Sequence, residues 1–165
     1  MKILGIDTSL RSTGLAVVAQ VGTRHIPLYT GRVRNAPDLP RSACLLNIQR
    51  HIEAVIAEHQ PDAAAIESVF LSKNFKTTLI LGEARGAVIA QCARSNLPIY
   101  EYDPRRVKLA VTGTGAAQKE QVQRMIQNLL GFPTIPPDDE ADACALAICH
   151  LHNLTRLAVT KQEPY

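Results

Sequence analysis

Asp7, Glu67, Asp139 and Asp142 stand at the ends of otherwise apolar segments. Asp7 closes Lys2-Ile3-Leu4-Gly5-Ile6, Glu67 closes Asp62-Ala63-Ala64-Ala65-Ile66, and Asp139 and Asp142 open Ala143-Cys144-Ala145-Leu146-Ala147-Ile148. Carboxylates in such places are costly to desolvate unless positive charge sits between them. The simplest candidate is a pair of divalent metal ions holding a phosphate. Phosphodiester hydrolysis needs a nucleophilic water, a stabilised pentacovalent phosphate and a stabilised leaving alkoxide, and two metals about 3.5 to 4 Å apart supply all three. Magnesium prefers carboxylate oxygens and retained waters to cysteine or histidine. Asp139 and Asp142 are three apart on a predicted helix and can face one point, whereas Glu140 must point elsewhere. A plainer reading makes Asp138 to Asp142 helix caps and dipole partners, and Asp7 a turn cap. Glu67 resists it, because an acid ending a strand after four apolar residues has no capping task.

The elements that would carry these acids can be traced from periodicity. Residues 2 to 9, 14 to 20 and 25 to 34 read as three strands of an antiparallel meander. From Asp38 to His59, Leu45, Ile48, Ile52, Val55 and Ile56 recur at helical spacing until Pro61. Ala63 to Ile66 is short and apolar between two helical patterns, which suits a buried parallel strand. Residues 77 to 95 return to helix, with Gly82, Ala84, Gly86, Ala87 and Ala90 implying close packing. Pro98 to Tyr102 is the last strand. Helices over Pro104 to Val111 and Ala117 to Leu130 flank a glycine loop, Val111-Thr112-Gly113-Thr114-Gly115, and a final helix follows Pro136-Pro137. This order gives an α/β fold, a mixed five-stranded sheet with helices on both faces, which is the ribonuclease H-like order. Asp7 and Glu67 would then lie side by side at one sheet edge.

The 165 residues suit one domain, expected over 1–156 with a C-terminal tail at 157–165. With 46% apolar and 20% charged residues, the composition is that of a globular chain. No apolar run reaches the roughly 20 residues needed to cross a bilayer, and Met1-Lys2 leads into a strand, so a cytoplasmic protein without a membrane partner is expected. Cys44, Cys92, Cys144 and Cys149 read as buried thiols rather than disulfides. Cys149, His150 and His152 can be drawn as zinc ligands, but neighbours on a helix face different ways. The net charge of +3 decides little; its clustering at Lys73 and Lys76, at Arg105, Arg106 and Lys108, and at Lys119 says more.

Several blocks stand out together: Gly5-Ile6-Asp7 with Gly14, Ile66-Glu67-Ser68-Val69-Phe70, Lys73-Asn74, Leu81-Gly82-Glu83-Ala84-Arg85-Gly86, the stretch from Lys108 to Val122, and Asp139-Glu140-Ala141-Asp142-Ala143. In combination these blocks resemble the RuvC family of Holliday-junction resolvases. They follow family order across residues 3 to 150. The resemblance implies a homodimeric endonuclease acting in recombination and repair. It would nick two opposed strands of a four-way DNA junction and leave 5′-phosphate and 3′-hydroxyl ends. Asp7, Glu67, Asp139 and Asp142 would be catalytic and hold magnesium, two ions per site, with manganese able to substitute. A branch-migration complex is an implied partner. One departure stands out: the family usually follows its first aspartate with proline and glycine, where this chain has Thr8 and Ser9.

The resemblance also marks residues for DNA. Phe70 would stack on a base splayed at the crossover, or else plug the core with Phe75. Lys73 and Asn74 belong to the same matched loop. Lys108 and Lys119 would lie near the scissile phosphate, with Lys119 in a helix first turn that favours anions. Arg105 and Arg106 either touch the DNA backbone or only screen the surface. The small-residue helix from Leu79 to Ala93 would form the dimer seam or pack on its own sheet. Two rivals remain. Ile3-Leu4-Gly5-Ile6-Asp7-Thr8-Ser9 also looks like the phosphate loop of actin-like ATPases, whose folds need two such domains. A junction binder that does not cut would gain nothing from acids beside phosphates.

Overall fold

The computed structural model describes residues 1–68, 75–156 and 163–164. Phe70, Lys73, Asn74 and most of the expected tail lie outside the described residues. Strands β1 (Lys2–Asp7), β2 (Ser12–Val21) and β3 (Arg24–Arg34) precede helix α1 (Arg41–His59). They are followed by β4 (Ala63–Glu67), α2 (Phe75–Arg94), β5 (Ile99–Tyr102), α3 (Pro104–Thr112), α4 (Lys119–Leu130) and α5 (Asp138–Arg156). The sheet order is β3-β2-β1-β4-β5. The meander β1–β2–β3 is antiparallel, whereas β4 runs parallel to both β1 and β5. The expected mixed five-stranded sheet is therefore present.

Alternation along the strands sends side chains to two cores. Ile3, Ala16, Val18, Ala63 and Ala65 pack beneath α3, α4 and α5, including Val107, Val122, Ile126, Cys144 and Ile148. Leu4, Ile6, Leu15, Val17, Ala64 and Ile66 face α1 and α2 through Cys44, Ile48, Ile52, Ala84 and Val88. All four cysteines are buried free thiols, as expected. Among the described residues no helix is long and apolar enough to cross a membrane.

Several boundaries move for local reasons. The first helix starts at Arg41, three residues after the expected Asp38, with Pro40 as its N-cap residue at ψ 143°. Strand β1 ends at Asp7, so Thr8 and Ser9 belong to the turn, which the Thr13 hydroxyl closes by donating to the Ser9 carbonyl. Helix α3 begins where sequence rules put it: Asp103 accepts from the Arg105 amide at 2.7 Å, and Pro104 occupies the first turn. Of the small residues on α2, Ala84 is buried within its own subunit, whereas Gly82 and Gly86 are exposed. Gly82 and Gly86 face open space, where an added Cβ would meet nothing within 4 Å.

Candidate active site

The site begins with register. Ile6 of β1 pairs with Ile66 of β4 in a parallel ladder, so the next residues, Asp7 and Glu67, leave the same edge of the sheet as neighbours. Asp7 also faces Gly14 of β2. A Cβ at Gly14 would collide with the backbone of Asp139, and one at Gly5 with the carbonyl of Ala143. Two glycines thus let the start of α5 lie directly on β1 and β2, a close approach that side chains would prevent. This contact brings Asp139 and Asp142 to Asp7.

Asp7, Glu67 and Asp142 line one cavity of about 190 Å³, together with Lys108, Lys119, Pro104, Val107, Val122, Ala145 and Leu146. Asp139 is not among its lining residues. It sits one helical turn away, accepting a hydrogen bond from the Ser12 hydroxyl, and its charge still acts on Asp7. Glu140 turns away to Arg32, 3.3 Å distant, as the helical spacing required. A second cavity of about 150 Å³ shares Asp7, Glu67 and Pro104 and adds Thr8, Ser68, Leu81 and Arg85.

The electrostatics show a cluster short of positive charge. Burial, then Asp142, Glu67 and Asp139, push the Asp7 carboxyl up to about 7, with Lys119 pulling the other way. Burial, Asp142 and Asp103 raise Glu67 above the ordinary range, opposed by Lys108. Burial also raises Asp142, although Lys119 opposes it by charge and hydrogen bond. Lys119 Nζ lies 3.4 Å from Asp142 and 3.1 Å from Asp138. Like charges gathered out of water hold on to protons until a cation joins them.

That shortage, and a donor set made only of oxygens, fit a hard divalent cation. The set is not preassembled: among the described residues no three acidic, histidine or cysteine side chains are drawn together as a ready ligand group. Lys119 and Ser12 instead occupy the oxygens of Asp142 and Asp139. The zinc alternative has no comparable support. Cys149 is buried, His150 Nδ1 lies 2.7 Å from the Tyr102 hydroxyl, and His152 Nδ1 lies 3.0 Å from the Ala110 carbonyl oxygen.

Among the candidate DNA residues, Lys108 and Lys119 are at the cavity, and Arg105 is exposed on the first turn of α3. Arg106 is engaged internally, donating to Asn153 at 2.7 Å and lying 5.5 Å from the centre of the Tyr102 ring. Phe75 is 87% exposed, so it plugs no core. Sequence reasoning gave no role to Ser12, Gly5 or Arg85. An arginine set among alanines and glycines, within the matched block Leu81 to Gly86, was the available signal for the last.

Comparison with known proteins bears on the whole chain. The family model described as "Crossover junction endodeoxyribonuclease RuvC" matches residues 3–150. A protein of that name from Caldicellulosiruptor saccharolyticus is 42% identical over 165 residues, covering 99% of this chain and 98% of the relative. Another from Vibrio cholerae is 45% identical over 161 residues, covering 97% and 92%. The solved structure "T. thermophilus RuvC in complex with Holliday junction substrate" superposes with a TM-score of 0.91 at 31% identity, covering 100% of this chain and 99% of that one. With the fold, the order of the blocks and these full-length matches in agreement, the chain belongs to the RuvC family of crossover junction endodeoxyribonucleases, nucleases with a ribonuclease H-like sheet.

Proposed function

We propose that the protein resolves four-way DNA junctions by paired, symmetric phosphodiester hydrolysis, with Asp7, Glu67, Asp139 and Asp142 holding magnesium at the catalytic centre. One observation carries the reading: Asp7, Glu67 and Asp142, from three separate elements, meet in one cavity between Lys108 and Lys119. When bound, divalent ions there supply the charge that acidifies a water and stabilises the phosphate and the leaving oxygen. The chain's own groups do the rest. Asp7, with a carboxyl near 7, gives up its proton readily when a cation enters. Lys119 releases Asp142 and turns its charge to the phosphate. Lys108 faces the same opening, and Arg105 extends the basic rim along α3. By family resemblance, Phe70, Lys73 and Asn74 meet the DNA at the crossover.

Residues 1–156 act as one nuclease unit in this proposal, supported by the family match to 3–150. Leu79 is 64% exposed on α2, and Gly82, Gly86 and Ala90 are exposed with it. A second copy seated on that face would present two sites related by a two-fold axis, matching the symmetry of an open junction. Manganese, another oxygen-seeking ion, substitutes for magnesium. The products carry 5′-phosphate and 3′-hydroxyl ends, and the reaction belongs to the cytoplasm, where a branch-migration complex would supply junctions. Incubation with an end-labelled synthetic junction, with magnesium or with a chelator, tests the proposal. Two nicks at symmetric positions only with magnesium are expected; tight junction binding without any nick would overturn it.

A further inference from the structure

We infer that Arg85 is a positioning residue, which fixes the direction of Glu67 and ties helix α2 to the acidic cluster. The inference rests on Glu67 being a metal ligand, as proposed above. Arg85 is 9% exposed, and among the described residues no other lysine or arginine is buried. A guanidinium in such a place is strongly unfavourable unless paired and hydrogen-bonded. Both conditions are met at the sheet edge that carries the acids. Nη1 donates to the Glu67 carbonyl at 2.5 Å, and Nη2 pairs with the carboxylate of Glu101 on β5.

The two acceptors lie at the ends of adjacent strands, since Glu67 pairs with Tyr102 and Ile66 with Glu101. The Ser68 amide adds a 2.9 Å bond to the Tyr102 carbonyl. The peptide after Glu67 is therefore held from two sides where the sheet ends. Rotation of that peptide would swing the Glu67 side chain away from Asp7. Burial, Asp142 and Asp103 raise the Glu67 carboxyl and Lys108 lowers it. Arg85 reaches Glu67 at the peptide carbonyl and pairs with Glu101 through its other amino group. Arg85 also lines the smaller cavity with Asp7, Thr8 and Glu67. A lysine has one donor centre and cannot span both acceptors in this planar fork.

Groups that orient metal ligands without touching the metal typically change affinity about 10- to 100-fold when removed. Calorimetric titration of metal-free protein with manganese chloride, beside thermal unfolding, provides the test. Glu67→Gln should weaken manganese binding at least about tenfold, and Arg85→Gln by a similar factor. Arg85→Lys and Glu101→Gln, which keep a polar group in place, should fall between these and the unaltered protein. If Arg85→Gln does not fold, those two milder variants carry the test. Unchanged manganese affinity in Arg85 and Glu101 variants, with Glu67→Gln weakened, overturns the positioning role, even where melting temperature drops. Unchanged affinity in Glu67→Gln overturns instead the reading of Glu67 as a ligand.

Discussion

Asp7 carries a carboxyl that burial and three neighbouring acids push up to about 7, far from the 3.8 of a free side chain. Below about pH 4 it is protonated whether the chain is folded or not, and contributes nothing. Between about pH 4 and pH 7 the folded state binds more protons than the unfolded one, so this group lowers stability as pH rises. Above about pH 7 the loss is complete. Asp7→Asn should therefore raise the melting temperature of the metal-free protein at pH 8 by a few degrees, relative to the native chain, and leave the difference near zero at pH 4. Magnesium should stabilise the native protein at pH 8 and do little for Asp7→Asn. The same variant should lose junction cleavage by a factor of at least about 1,000 while still binding junctions, losing metal charge worth several kcal/mol at the transition state. Glu67 was legible in the sequence because a strand-ending acid had no structural task. Arg85 and Ser12 were not, since their partners are 18 and 127 residues away and only folding shows them.

At the scale of elements, the site depends on how closely α5 can approach the sheet. Gly14→Ala would drive a methyl into the backbone of Asp139. Overpacking of this kind typically costs about 1 to 3 kcal/mol. Urea unfolding should show that loss, and cleavage should fall further than stability alone explains, because Asp139 and Asp142 move with the helix. Lys119 opens α4 at the cavity and, once it lets go of Asp142, carries its charge to the phosphate, so Lys119→Ala should slow cleavage by about 10- to 100-fold, by loss of a charge-assisted contact to the phosphate worth roughly 1.5 to 3 kcal/mol. Measured single-turnover rates at saturating magnesium would check it. Strand and helix order was readable from periodicity, and Pro104 after Asp103 marked the start of α3. The start of α1 was not readable: the helical pattern was expected from Asp38, yet the residue before Pro40 is disfavoured in helix and the chain turns only at Arg41. Nor could sequence tell that Gly14 and Gly5 serve approach of α5, whereas Gly82 and Gly86 serve an open face.

At the scale of the molecule, paired cutting requires two sites held in fixed relation. The α2 face offers small residues over which a second backbone can come close. Gly86→Arg adds a long charged side chain where its own subunit leaves open space, so the fold should survive while sedimentation shows monomers. Such monomers should nick one strand per encounter instead of two. An unchanged assembly would move the seam elsewhere. The family match to residues 3–150 and the superposition with a junction-bound relative make the nuclease fold secure, and the central remaining claim concerns the metal. Anomalous diffraction at the manganese edge, from crystals of this protein soaked in manganese chloride, addresses it most directly. Peaks within ligand distance, about 2.0 to 2.3 Å, of carboxylate oxygens of Asp7, Glu67 and the α5 aspartates are predicted. A soaked crystal with no peak there, or with manganese bound only at other side chains, would contradict the account.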